Sequence, residues 1–486
     1  MSKTGPKVEK LDEFRWLIPK QGGMRAEGLV YATKELLEGS EGGQGSAIEQ
    51  VANVAHLPGL VGRSLAMPDI HFGYGFAIGG VAAFDPDRGG VVSPGGVGYD
   101  INCGVRLLAT GLEAERARPV LGRLLDAVFQ AIPSGVGSSS DDLRVGGDDL
   151  ARCLRDGARW AVERGLGTAE DIEHIESGGR LPGADPAAVS EKARSRGSPQ
   201  LGTLGSGNHF VEIGCVTGIF NHEAAEAFGL AEGRLVVTIH TGSRGLGHQV
   251  CDDSLKMMAK AAPKHGISLP DRQLACAPLG TPEADSYLAA MACAANFAFA
   301  NRQIIAHRVR DVFRRFFAAE GEAGAPRTIY DVAHNIAKWE EHMVGGVSRR
   351  LCVHRKGATR AFPAGHPDVP AAHRAVGQPV LIPGDMGRAS YVLVGLRGAM
   401  EESFGSTCHG AGRLLSRGQA AKRAKGRNVA EELRARGILL RAASRRTLVE
   451  EMPDAYKDVS EVVEVVHGAG LSAKVARLEP MAVMKG

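Results

Sequence analysis

A carboxylate and a thiol stand three residues apart, at Asp100 and Cys103, inside the glycine-rich stretch SPGGVGYDINCGVRLL from Ser93 to Leu108. Glycine permits close approaches and left-handed backbone that a Cβ forbids, so such a loop can line an ion or a phosphate. A tight turn alone needs no thiol. Three histidines occupy the margins of apolar runs: His240 ends RLVVTIH, His334 ends TIYDVAH, and His209 opens HFVEI behind LGTLGSGN. Singly, each imidazole is better explained as a hydrogen-bonded structural residue. Together with Asp100 and Cys103 they make a ligand set for one or two divalent ions, and a thiolate can bridge two metals. Ligand chemistry ranks zinc first, while the aspartate and open positions leave manganese possible.

A second feature is TCHGAGR, in which Gly410 and Gly412 flank the residues beside His409, and Arg413 follows. A neutral imidazole can attack phosphorus to form a phosphoramidate, with backbone N–H groups and an arginine holding the phosphate oxygens. Alone, the motif is better explained as a histidine in a glycine capping turn. A third group comprises VHRKGATRAFP, with His354, Arg355, Lys356 and Arg360, and IPGDMGRASY, with Gly384, Gly387 and Ser390. Cations beside glycines suit phosphate, but alternating charges on a strand also describe an exposed face. The chain has no Gly-Lys dipeptide, hence no Walker A loop, and neither K-x-D-G nor H-E-x-x-H.

The elements that must position these residues are short β-branched runs alternating with helical patterns. RLVVTIH, TIYDVAH, QPVLIPG and SYVLVGL read as strands; RPVLGRLLDAVFQAI and the long stretch from ADSYLAAMACAANFAFANRQ to RDVFRRFF read as helices. This predicts a mixed α and β protein. The polar region 138–200, punctuated by GGDD, SGGR and PGADP, reads as helical pieces joined by loops, an insertion. No fixed-period repeat or low-complexity linker divides the chain. Because the reactive residues come from both halves, they need one shared cleft, as in a single large domain or two domains meeting there.

The 486 residues, 44% of them hydrophobic, suffice for a sizeable core. The charged start MSKTGPKVEKLDEF lacks an apolar leader, and the apolar stretch near LAAMACAANFAFANRQ is interrupted by Asn296, so a soluble cytoplasmic protein is expected. Eight cysteines with no C-x-x-C pair point to reduced thiols. A net charge of +3 does not announce a nucleic-acid protein, leaving that role to local basic clusters at Arg308–Arg315, Lys192–Arg196 and Gly412–Arg427, each also readable as a solvated helix face.

In this order, GGVGYDINCGVRLL, LGTLGSGNHFVEI, HTGSRGLGHQV, DVAHNIAKWE, VHRKGATRAFP and TCHGAGR resemble the RtcB family of GTP-dependent RNA ligases. The likeness runs from VANVAHLPGLVGRSLAMPDIHFGYGFAIGG to the terminal MAVMKG, nearly the whole chain. It implies one α+β domain over residues 1–486, with mixed sheets around a deep cleft holding two manganese ions. Carried over, Asp100, Cys103 and His209 hold one ion and Cys103, His240 and His334 the other, with the thiolate bridging. His409 becomes the guanylylated residue. The implied GTP contacts are Asn208, His209, Phe210, Val211, Glu212, His334, Asn335, Pro383, Gly384, Asp385, Met386, Ser390, His409, Gly410, Ala411, Gly412 and Lys485. Asp385 departs from the Ser or Thr that the resemblance leads one to expect there, and a carboxylate repels a triphosphate unless paired.

The implied activity joins an RNA end bearing a 2′,3′-cyclic phosphate or 3′-phosphate to a 5′-hydroxyl end, in tRNA splicing or RNA repair, with an archease-type activator as a possible partner. Two rival readings use the same residues: a metal-dependent cyclic phosphodiesterase without ligation, and a non-catalytic RNA-binding protein with a structural metal.

Overall fold

A computed structural model describes residues 5–39 and 46–486; residues 1–4, the start of the charged N-terminal stretch, lie outside the described residues. The β-branched run RLVVTIHT forms the strand Arg234–Thr241, buried from Leu235 onward, as a strand covered on both faces must be. It belongs to a sheet ordered Arg327–Ala333, Gly104–Glu113, Arg234–Thr241, Phe210–Ile219, Ser472–Lys485, Ser390–Gly395 and Pro379–Ile382, each antiparallel to the next. Leu439–Ala442 adds a parallel pair to Ser472–Lys485.

A second sheet runs Glu9–Lys10, Arg15–Ile18, Gly28–Tyr31, Leu60–His71, Ile78–Phe84, Val347–Lys356 and Asn335–Val344. The chain crosses from the first sheet to the second at one residue. Arg327–Ala333 ends, Asn335–Val344 begins, and His334 is the corner between them.

Register then brings the reactive residues to one end of the first sheet. Ala333 pairs with Gly104, Gly104 with Thr241, and His240 with Phe210. Cys103 and His209 therefore immediately precede their strands, while His240 and His334 lie at the finish of theirs. Neighbouring strands are about 4.8 Å apart, so four side chains from adjacent strand ends fall within reach of one another.

The helix Pro282–Phe316 braces that end. Its Thr281 side chain caps the Ala284 N–H, Pro282 occupies the first turn, and Arg314 and Arg315 sit in the last, where cations suit the helix dipole. Asn296, which interrupts the apolar run, is buried and bonds the backbone of Leu154 and Leu181. Region 138–200 supplies Gly147–Asp156, Ala158–Glu163, Ala169–Glu173 and Glu191–Gly197, whose Leu150, Leu154, Trp160 and Ala193 pack in one cluster with Ala290, Phe297 and Ala300 of the long helix. Among the described residues, no helix is long and apolar enough to cross a membrane.

Candidate metal centre and active site

The loop carrying Asp100 and Cys103 is held by the long helix. Asn102, in left-handed backbone at φ 51°, donates its side-chain amide to Ala295 O at 2.7 Å. Arg302 donates to Asn102 O at 2.8 Å, Asn102 Oδ1 at 2.9 Å and Thr241 O at 2.9 Å, and pairs with buried Asp331, which also takes Arg106. Gly104 is required by close approach, because a Cβ there would lie 2.4 Å from Val332 O. The glycine thus lets Cys103 turn inward where a side chain would collide with the next strand.

Cys103 Sγ lies 3.3 Å from His240 Nε2 and 3.5 Å from His209 Nε2; His240 Nε2 is 3.3 Å from His334 Nε2, and Asp100 Oδ2 is 2.8 Å from His209 Nε2. Two donor triads result, Cys103–His240–His334 and Asp100–Cys103–His209, each with its donor atoms within 4.8 Å of one another and both including Cys103. Burial, reinforced by neighbouring imidazoles, holds His240 and His334 well below the ordinary histidine range, so both rings are neutral. Their Nδ1 atoms are buried without a hydrogen-bond partner among the described residues. Burial and then Asp100 push the Cys103 thiol well up, so a thiolate there needs a positive charge beside it. His209 Nδ1 faces Leu204 O at 3.0 Å. A ring donating from Nδ1 offers its Nε2 lone pair, with Asp100, to a cation. The donor set fits divalent metal.

These residues open into a cavity of about 490 Å³, a volume suited to a small ligand. His409 enters it beside the metal donors, its ring centroid 4.9 Å from that of His334. Its Nδ1 lies 2.5 Å from Oδ2 of Asp69, which also accepts the backbone N–H groups of His409 at 2.9 Å and Gly410 at 3.2 Å. Burial opposes ionisation of Asp69, but the charge and hydrogen bonds of His409 prevail and hold its carboxyl low. An ionised Asp69 accepts a hydrogen bond from the Nδ1–H of His409, leaving Nε2 with its lone pair. Gly412, at φ 71°, lets the loop touch Asp69, since a Cβ would meet Asp69 O at 2.2 Å. Asp69 was missed in the sequence; its only signal is a carboxylate two residues before His71 in LAMPDIHFG.

Of the implied GTP contacts, Asn208, Phe210, Glu212, His334, Asn335, Pro383, Gly384, Asp385, Met386, His409, Gly410, Ala411, Gly412 and Lys485 line the cavity. Three do not line it: His209 turns its Nε2 to Asp100 and Cys103, and the side chains of Val211 and Ser390 lie elsewhere. Strand alternation turns Val211 away from Phe210 and Glu212 into a core with Ile213 and Ile239, and Ser390 accepts the Gly384 N–H at 3.1 Å, bracing the loop from behind. Asn335 bridges Asp100 O at 3.1 Å and Gly357 N at 2.8 Å. Asp385 is paired after all, with Arg388, which also bonds the carbonyls of Pro453 and Tyr456. Burial, with Asp385 nearby, pushes Glu212 up to about 8, and burial brings Lys485 down to about 8.

The basic motifs divide. His354, Arg355, Lys356 and Arg360 are buried, contrary to an exposed face. Arg355 forks onto Glu340 at 2.6 and 2.8 Å, and Arg360 faces Glu176 at 3.3 Å. Arg413 lines the cavity, yet its guanidinium bonds Glu451 at 2.8 Å, Glu450 O at 2.7 Å and Leu415 O at 3.0 Å, so it bolts the wall together. Arg417, a member of the basic cluster Gly412–Arg427, is the freer cation at the cavity, 63% exposed. Arg308 and Arg310 are tied to Asp142 and Asp171.

A family model described as tRNA-splicing ligase RtcB matches residues 50–486. A tRNA-splicing ligase RtcB of Thermococcus kodakarensis is 55% identical over 480 residues, 99% of each chain, and that of Archaeoglobus fulgidus is 53% identical over 481 residues, again 99% of each. An RNA-splicing ligase RtcB of Mycobacterium tuberculosis is 52% identical over 438 residues, covering 90% of this chain and 100% of the relative. Matches of this length and identity, over a site that unites the residues of all six motifs, place the chain in the RtcB family.

Proposed function

We propose that this protein is an RNA ligase that joins a 3′-phosphate or 2′,3′-cyclic phosphate end to a 5′-hydroxyl end through a guanylate carried on His409. One observation carries the reading: an imidazole with Nδ1 fixed by Asp69 stands in one cavity with two donor triads sharing Cys103. The names of the relatives support RNA, such as cleaved tRNA halves, as the substrate.

In this reading Asp100, Cys103 and His209 would hold one manganese ion and Cys103, His240 and His334 the other. Bound there, the ions supply positive charge that polarises phosphoryl oxygens. Asp69 accepts the hydrogen bond that keeps the proton on Nδ1 while His409 Nε2 attacks the α-phosphorus of GTP; an N–P bond forms and the bond to pyrophosphate breaks. Phe210, the Pro383–Met386 loop and Lys485 hold the guanylate, with Val211 and Ser390 supporting it from behind. A cyclic phosphate end is first opened by water, which breaks the P–O2′ bond and leaves a 2′-hydroxyl and a 3′-phosphate, whose oxygen takes the guanylyl group and frees His409. The 5′-hydroxyl oxygen then attacks the RNA phosphorus and GMP leaves. The whole chain acts as one catalytic unit, with 138–200 as a brace. Action in the cytoplasm and an archease-type activator belong to the same reading.

Incubation with manganese and α-labelled GTP tests it. The wild type is expected to take up label, His409→Ala to lose it, and ligation to require a 3′-phosphate or cyclic phosphate with a 5′-hydroxyl. Cyclic-phosphate hydrolysis without labelling would support the phosphodiesterase instead, and joining of 3′-hydroxyl to 5′-phosphate ends would refute the assignment.

A further inference from the structure

Three rings from distant segments meet inside the cavity and take no part in the machinery described above. Tyr74 and Tyr99 stand edge to face with centroids 5.7 Å apart, and Tyr99 and His248 lie 4.8 Å apart at 33°. All three line the cavity, and none is buried. Among the described residues neither tyrosine hydroxyl has a hydrogen-bond partner. Tyr99 directly precedes Asp100, so this cluster adjoins the metal donors.

The rings are held in advance of any ligand. Lys356, itself buried, donates to the carbonyls of Tyr74, of Phe76 at 3.0 Å and of Gly95 at 3.1 Å, clamping the loop of Tyr74 to the loop that leads to Tyr99. Gln273 Oε1 takes the Gly75 N–H at 2.9 Å. Lys356 is therefore a clamp, its donors occupied, and not a free phosphate ligand. A buried amine whose donors are all given to two loops fixes their geometry.

The other phenyl and phenol rings of the cavity are already covered by cations. Lys485 lies 5.5 Å over Phe210 and Arg413 5.1 Å over Tyr456. Among the described residues no cation covers Tyr74, Tyr99 or His248. Open aromatic faces accept a nucleobase, and stacking accepts every base, as joining ends of unrelated sequence requires.

We propose that Tyr74, Tyr99 and His248 form the stacking platform for the nucleobase of an RNA end delivered to the metal donors. The inference rests on the RNA-ligase reading. The nucleobase belongs either to the 3′-phosphate end or to the 5′-hydroxyl end, and the test separates them.

The full-length protein with manganese and GTP is assayed for ligation of two oligonucleotides, intact or abasic at one terminal nucleotide. In the wild type, an abasic residue at one end is expected to raise the KM for that oligonucleotide roughly tenfold, and the affected end identifies the stacked base. In the double variant Tyr74→Leu, Tyr99→Leu, intact RNA should show the same raised KM, with no further loss from the abasic residue. Tyr74→Phe, Tyr99→Phe, which keeps both rings, should match the wild type. A wild type that ligates abasic and intact ends alike would overturn the platform while leaving the ligase reading standing, as would losses that add in the Leu variant. A wild type that takes no label from GTP and ligates nothing would sink both.

Discussion

Oδ2 of Asp69 lies 2.5 Å from Nδ1 of His409, although 340 residues separate them in the chain. The strand Leu60–His71 carries the carboxylate, and its Oδ2 also binds two backbone N–H groups of the histidine loop. One buried atom therefore sets the position of the loop and the tautomer of its ring. Asp69→Asn keeps the shape but favours the wrong tautomer. Guanylylation should fall on the order of 10² to 10⁴-fold with bound manganese unchanged; label uptake within threefold of wild type would remove Asp69 from this role.

Cys103 is common to both donor triads, so its loss should disturb both sites. Cys103→Ala is expected to purify without bound manganese after dialysis against the metal, while His334→Ala, which touches one triad, should retain part of it. Elemental analysis gives the count. Undiminished metal in the Cys103 variant contradicts the shared thiolate.

Lys485 and Glu212 predict a pH limit for nucleotide binding. Lys485, brought down to about 8 by burial, is cationic below that pH, and Glu212, pushed up to about 8, is neutral below it. Raising the pH from 7 to 9 removes a positive charge and adds a negative one, and both changes repel a triphosphate. The KM for GTP should rise on the order of tenfold across that interval, and Glu212→Gln should flatten the rise. A KM independent of pH in the wild type would show that neither group meets the nucleotide.

The buried pairs of Asp331 with Arg302 and Arg106 predict a stability effect remote from the chemistry. Asp331→Ala leaves two interior guanidinium groups without their carboxylate. Breaking one partner of such a buried pair costs about 3 to 5 kcal/mol, measurable as a lowered midpoint in urea. Because Arg302 also holds Asn102, metal retention should weaken in the same variant. A midpoint shift worth less than about 1 kcal/mol would mean that the cluster carries little of the fold.

Much of the site was legible because its residues sit beside patterns that read locally. RLVVTIH and TIYDVAH are strands by their β-branched runs, and the histidines that close them are found at strand ends. Asp100 and Cys103 stand out for their glycine setting. Other roles had no local signal. Asp69 lies within an apolar strand, Lys356 looks like a phosphate ligand until three carbonyls are seen to occupy it, and Arg413 looks free until Glu451 is seen beneath it.

By itself the sequence determined the mixed α and β class and offered a candidate set of metal donors and a candidate histidine, because periodicity and side-chain chemistry are properties of short segments. The tertiary structure brings Cys103 into both donor triads, as the resemblance implied, and it alone decided that Asp69 stands against His409 and that Val211 and Ser390 stand behind the cavity wall. Those outcomes depend on strand register and on partners hundreds of residues away, and a side chain's hydrogen-bond capacity does not reveal which distant group will use it.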